Sequence, residues 1–174
     1  MFDGARFADA ALFEGATFAD IASFRHVVFS GATKFGYARF AGGSAWFDSA
    51  RFCGPPYVYG AGTEDFAGAD FEKAEFSWPV YFRAANFLEG ADFRGVVFRS
   101  RAWFGKAEMK GPTSFEAAEF TSEPPEFSDA ALHEGTVWRR VKWPLPLPVS
   151  GRRKNKAKPT PTTAGTFVAT HMPV

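Results

Sequence analysis

Chemistry in this 174-residue chain would have to come from three histidines, one cysteine and a scatter of carboxylates. His26, His133 and His171 lie far apart. No spacing ties any of them to Cys53, or to the carboxylate pair that acid–base or metal-assisted catalysis would use. Cys53, next to Phe52, reads as a buried or corner cysteine rather than a reactive thiol. As the single cysteine it excludes an internal disulfide and a cysteine metal cluster. The acids do not follow a calcium-binding Gly-Gly-x-Gly-x-Asp repeat, and the glycines form no phosphate loop. The expectation is a protein that is not an enzyme, with no catalytic residue, no metal and no cofactor.

Charge is divided unevenly along the chain. The formal net charge is +1, yet all 19 acids precede residue 139, beside 12 Lys and Arg, while residues 139–174 hold eight Lys and Arg and no acid. An acidic body of net −7 therefore carries a basic tail, and their electrostatics have to be treated separately. The lone cysteine suits a reducing compartment. The N-terminus shows no basic stretch followed by an apolar run, and no segment approaches the roughly 20 apolar residues of a spanning helix. A cytoplasmic location is expected.

What remains is the framework, and 22 Phe against five Leu shows a regular demand for one side chain. Phe2, Phe13, Phe24 and Phe35 are 11 apart, interleaved with Phe7, Phe18, Phe29 and Phe40. The same register returns at Phe71, Phe82, Phe93, Phe104 and Phe115, interleaved with Phe76, Phe87, Phe98, Met109 and Phe120, and closes at Phe127, Leu132 and Trp138. Two residues before almost every central position stands Ala, Val or Thr, with Glu64 and Pro125 the exceptions. Steps of 5 and 6 do not make a helical seam, since they rotate successive Phe by roughly 130 to 140 degrees. A flat strand fails too, because an odd step sends neighbouring Phe to opposite faces. Short extended pieces joined by corners satisfy the spacing, with positions i−2 and i turned inward and the backbone coiled around them.

Runs such as Ala69-Asp70-Phe71-Glu72-Lys73, Ala85-Asn86-Phe87-Leu88-Glu89 and Ala91-Asp92-Phe93-Arg94-Gly95 resemble the pentapeptide repeat: a small residue, Asp or Asn, Leu or Phe, then two variable positions. The resemblance covers residues 2 to 138. It implies an all-β fold, a right-handed quadrilateral parallel β-helix, here a solenoid of about six coils with about 22 residues per coil. At about 4.8 Å per coil the rod is near 30 Å long. The chain departs from the pattern by alternating steps of 5 and 6, and by often lacking Asp or Asn at i−1. The expected organisation is a solenoid over 1–138, interrupted by an irregular loop at 53–65 with Pro55-Pro56 and three Gly, then a Pro-rich basic tail at 139–174, mostly disordered. Alternating Pro144, Pro146 and Pro148 favour an extended polyproline-like segment.

Outward position i−1 is where a partner would be met. Residues 22 apart share a side of the coil, which stacks Asp70 on Asp92, places Glu75 with Glu119, and pairs Tyr81 with Trp103 as an exposed aromatic anchor. These six form the candidate interaction surface, and the leading functional reading is a protein-interaction scaffold with an unidentified protein partner. The resemblance supplies an alternative, because family members that protect DNA gyrase are thought to do so by mimicking duplex DNA. A topoisomerase such as gyrase would then be the partner. Mixed signs among the outward residues and helix-breaking prolines after residue 143 weigh against it. Direct binding of nucleic acid or membrane is not expected, because the basic tail lacks interleaved aromatics and an amphipathic pattern. The register opens at Phe2 with nothing before it to cover the first coil. That predicts self-association through the N-terminal end, most simply a head-to-head dimer, or else a truncated gene product.

Overall fold

The computed structural model describes residues 1–54 and 68–144. Nineteen two-residue strands run from Arg6–Phe7 to Glu119–Phe120, with no helix among the described residues. They form four parallel sheets, each taking every fourth strand, so the chain is a four-sided β-solenoid. The first sheet starts at Arg6–Phe7, the second at Ala11–Leu12, the third at Thr17–Phe18 and the fourth at Ala22–Ser23. Five turns are complete once the bridge from Trp103 to Glu126 closes the fourth side. Three bridges, at Ala131, Val137 and Lys142, begin a sixth turn. The ladder therefore runs past Trp138, to a last ring at Trp143 that stacks on Phe120 at 5.5 Å.

The inward code is realised as columns of rings. Phe24, Phe47, Phe82, Phe104 and Phe127 stack one above another at 4.7 to 5.1 Å with planes within 11°. Between columns the rings meet edge to face, as Phe71 meets Phe82 at 5.4 Å and 85°. Both geometries suit the aromatic quadrupole and add about 0.5–1.5 kcal/mol per pair beyond burial. Ala, Val and Thr at i−2 fill the space the rings leave, and nearly all these side chains are buried. Phe47 on Phe82 and Phe52 on Phe87 carry the columns unbroken across residues 55–67. The Pro-Pro and Gly stretch expected to loop out lies almost wholly outside the described residues, as does most of the basic tail.

The alternation of 5 and 6 corresponds to two kinds of corner. After the second and fourth sheets the step is 5. The residue two past the ring sits at φ between 52° and 58° in nine non-glycine cases, including His26, Tyr37, Lys73, Ala84 and Ala117. The amide after it closes the turn, as Ala85 N–H donates to Phe82 O at 3.1 Å. Left-handed backbone at a residue with a Cβ costs about 1–2 kcal/mol, and the ring columns on either side hold it in place. After the first and third sheets the corner is usually one residue longer. Gly90 shows why one of these corners is glycine: at φ +94°, a Cβ there would lie 1.9 Å from the carbonyl oxygen of Pro112.

The i−1 side chain often caps its own corner. Asp70 Oδ1 accepts from Glu72 N–H at 2.8 Å, Asp92 Oδ1 from Arg94 N–H at 2.9 Å and Ser114 Oγ from Glu116 N–H at 3.2 Å. At another corner His133 Nδ1, one residue past the ring position of Leu132, accepts from Gly135 N–H at 3.0 Å. A short acceptor at i−1 thus satisfies the first corner donor that the ladder leaves unpaired.

Candidate interaction face

Each outward position belongs to a column of one sheet, so the neighbours above and below decide its chemistry. On the second sheet Asp70 sits in register between Lys34 and Asp92. Arg94 closes on Asp92 with an Nη2 to Oδ2 distance of 2.6 Å. Burial pushes the Asp70 carboxyl above its ordinary range; the Glu72 amide opposes the shift and the charge of Asp92 adds to it. On the third sheet Glu75 and Glu119 stand two coils apart with Val97 between them. Glu75 lies between Arg99 and Arg39, and Lys142 meets Glu119 at 3.0 Å. The hydrogen bond from Arg99 holds Glu75 below the usual carboxylate range. The expected acidic columns therefore exist as geometry, but each carries its own counter-charges.

The fourth sheet is different. Tyr81 and Trp103 are in register and stack at 4.5 Å with planes 3° apart. The column continues to Trp46, which meets Tyr81 edge-on at 6.0 Å. Arginines line the same side: the Arg25 guanidinium lies 3.4 Å over Trp46, and Arg83 and Arg101 approach Tyr81 and Trp103 at 5.0 and 5.9 Å. Arg83 is held by Asp48 at 2.8 Å and Arg101 by Glu123 at 2.7 Å. The Asp48 hydrogen bonds raise the Arg83 guanidinium above its ordinary value. Along the neighbouring corner Trp78 is 53% exposed and donates its indole N–H to Ala41 O at 3.0 Å, and Ile21 is also exposed. Three half-buried rings, two exposed apolar side chains and their arginines thus share one side of the rod.

Spacing by 22 found Tyr81 and Trp103 but missed Trp46, which is 35 residues before Tyr81 because the 55–67 stretch intervenes. Aligning the ring code across that stretch would have joined them. Trp78 had no signal, since it occupies a corner and not a coded position. Beyond Trp103 the next outward residue is Glu126, so the stack ends there. A cleft of about 320 Å³ opens, lined by Arg101, Trp103, Glu123, Pro124, Pro125 and Glu126. Among the described residues no group of three His, Cys, Asp or Glu could hold a metal ion, and no helix is long and apolar enough to cross a membrane.

No curated protein matches the sequence. Among solved structures the chain is similar to trypsin-treated QnrB1, a plasmid-mediated fluoroquinolone resistance protein, at 15% identity and a TM-score of 0.29. That match covers 79% of this chain and 88% of the other. The family model for pentapeptide repeats matches residues 13–54 and 65–108 with nine copies. Those copies span most of the coils described above, and the chain belongs to the pentapeptide repeat family.

Proposed function

We propose that this solenoid is a non-enzymatic scaffold that docks a protein partner on its fourth face. The observation that carries this reading is the column Trp46, Tyr81 and Trp103, half-buried and flanked by exposed Trp78 and Ile21, on a rod whose other sides place charged pairs outward. Tyr, Trp and Arg are the residue types that dominate binding energy at protein interfaces, and clustered aromatic surface of this kind marks contact sites. The columns are rigid, because each ring is fixed by the ladder and the stack beneath it, so docking on them costs little side-chain entropy. Capture from the host's lysate with wild-type protein and with a Tyr81→Ala/Trp103→Ala variant tests it. A partner retained by the first and lost by the second supports the reading, and equal capture by both refutes it.

Mimicry of duplex DNA toward a topoisomerase is the weaker reading. Glu75, Asp92 and Glu119 would supply a phosphate-like row, but arginine or lysine sits within 4 Å of each. A supercoiling assay with purified protein decides it, and no inhibition at micromolar concentration removes it. Self-association through the first coil has support of its own: Phe2 is 38% exposed and Phe7, Phe13 and Phe18 are only partly buried. Light scattering of the wild-type chain and a Phe2→Ser/Phe7→Ser variant tests it, a monodisperse monomer in both cases being the refuting result.

A further inference from the structure

We propose that the cleft beside Trp103 is the docking site of this chain's own proline-rich segment, Pro144-Leu145-Pro146-Leu147-Pro148. The proposal rests on the fourth face being a docking surface and names its resident occupant.

The cleft has the chemistry for such a segment. Trp103 stacks on Tyr81 on one side only, and because Glu126 follows it in the column its other side opens into the cleft, walled by Pro124 and Pro125. Proline-rich segments recognise aromatic-lined grooves of this kind, and their extended conformation is preformed, so little entropy is lost on docking. The volume, about 320 Å³, is at the small end for a ligand pocket and suits one or two residues at a time.

The route of the chain selects the occupant. Trp143 stacks on Phe120 of the third sheet, so the chain leaves the described structure at Pro144, at the corner that leads onto the fourth side. Phe120 to Trp143 is 23 residues, and the same increment from Glu126 leads to Val149. The segment is therefore delivered to the edge of this face. It lacks the code needed to extend the sheet, because Pro144 has no N–H where Thr121 donates to the ladder one turn below, and the ring position that follows Phe127 by the same 23 residues is Ser150. Five residues at about 3.1 Å each reach about 15 Å. That equals about three coil spacings of 4.8 Å, enough to pass Glu126 and cover Trp103. The charges agree as well. Glu126 lines the cleft beside the Glu123–Arg101 pair, and the basic residues Arg152, Arg153 and Lys154 follow Pro148 on a chain whose body is acidic.

The test uses the full chain with Cys53→Ser and a nitroxide on Ser150→Cys, reading the five indole N–H resonances. Docking predicts that Trp103 loses most of its intensity and Trp46 much less. It also predicts that Pro146→Ser/Pro148→Ser restores the Trp103 signal while Trp143 stays broadened. These substitutions lie outside the solenoid and leave its fold intact. Trp103 at full intensity in the unsubstituted chain overturns the proposal, as does broadening that the proline changes do not relieve. In a mixture of isotope-labelled chain and separate nitroxide-bearing chain, Trp103 should keep its intensity. Loss there assigns the segment to a second copy and overturns docking within one chain. No external partner is present, so failure here leaves the partner-docking reading untouched.

Discussion

The second and fourth sides of the rod share one backbone design and have opposite surfaces. Both carry two-residue strands in parallel register, each over its own column of stacked rings, and both lead into the tight corner with its left-handed residue. Outward, the second side reads Leu12, Lys34, Asp70, Asp92 and Ser114, and the fourth reads Ser23, Trp46, Tyr81, Trp103 and Glu126. The difference teaches that the fold is specified almost wholly by inward positions. The i−1 positions are then free to be a charged network on one side and an aromatic column on another. Core packing and surface chemistry are thus written on alternating residues of the same strand, as the pleat requires.

The strongest way to break this comparison is at an inward residue. Phe93→Ala removes a fully buried ring stacked on Phe71 and Phe115 and should cost about 3–5 kcal/mol. Denaturant unfolding measures it, and a loss below about 1 kcal/mol would contradict the inward assignment. Next come the outward aromatics. Trp103→Ala should cost about 1 kcal/mol, the worth of one stacked cross-strand pair, with far-UV circular dichroism unchanged. A loss as large as that of Phe93→Ala would make Trp103 a core residue and not a surface one.

The corners sharpen the comparison with a gain in place of a loss. Ala117 sits exposed at φ 57°, so Ala117→Gly relieves left-handed strain and should raise stability by about 0.5–1 kcal/mol after the extra freedom of glycine in the unfolded chain is counted. A fall in the unfolding midpoint would place the strain elsewhere. The smallest expected effect is electrostatic. Asp70 has a raised folded-state pKa, so the folded chain binds its proton more tightly than the unfolded chain does. Stability is therefore lost as pH rises from the ordinary value of 3.8 through the raised one. Asp70→Asn keeps the cap on Glu72 N–H and removes that loss. The variant should be more stable than wild type near neutral pH, with the difference closing below 3.8. A variant less stable at neutral pH would mean that attraction from Lys34 and Arg94 outweighs burial.

Much of this was legible in the residues alone, because a coil must place the same kind of side chain inward at every turn. The alternation of Phe and Met with Ala, Val and Thr declares which positions turn inward and the steps of 5 and 6 between corners, and the four sides implied by the pentapeptide-repeat resemblance turn those steps into partners 22 apart, down to Tyr81 over Trp103. A short carboxylate at i−1 also points to its cap, since Asp70 and Asp92 each stand within reach of the amide two residues on. Tertiary structure decided the rest. Trp46 lies 35 residues before Tyr81, so the 22-residue increment misses it, and the stacking of Phe52 on Phe87 across the intervening stretch is what keeps the two in one column. Among the described residues nine with side chains adopt φ near +55°, and apart from His26 and Asp129 nothing in their types asks for it; the columns on both sides leave the corner no other path. Whether an acid is a bare charge or a paired one likewise depends on which basic side chain the coil above or below brings within reach. Glu75 shows this, lying between Arg39 and Arg99, 36 and 24 residues away in the chain and one coil away in space.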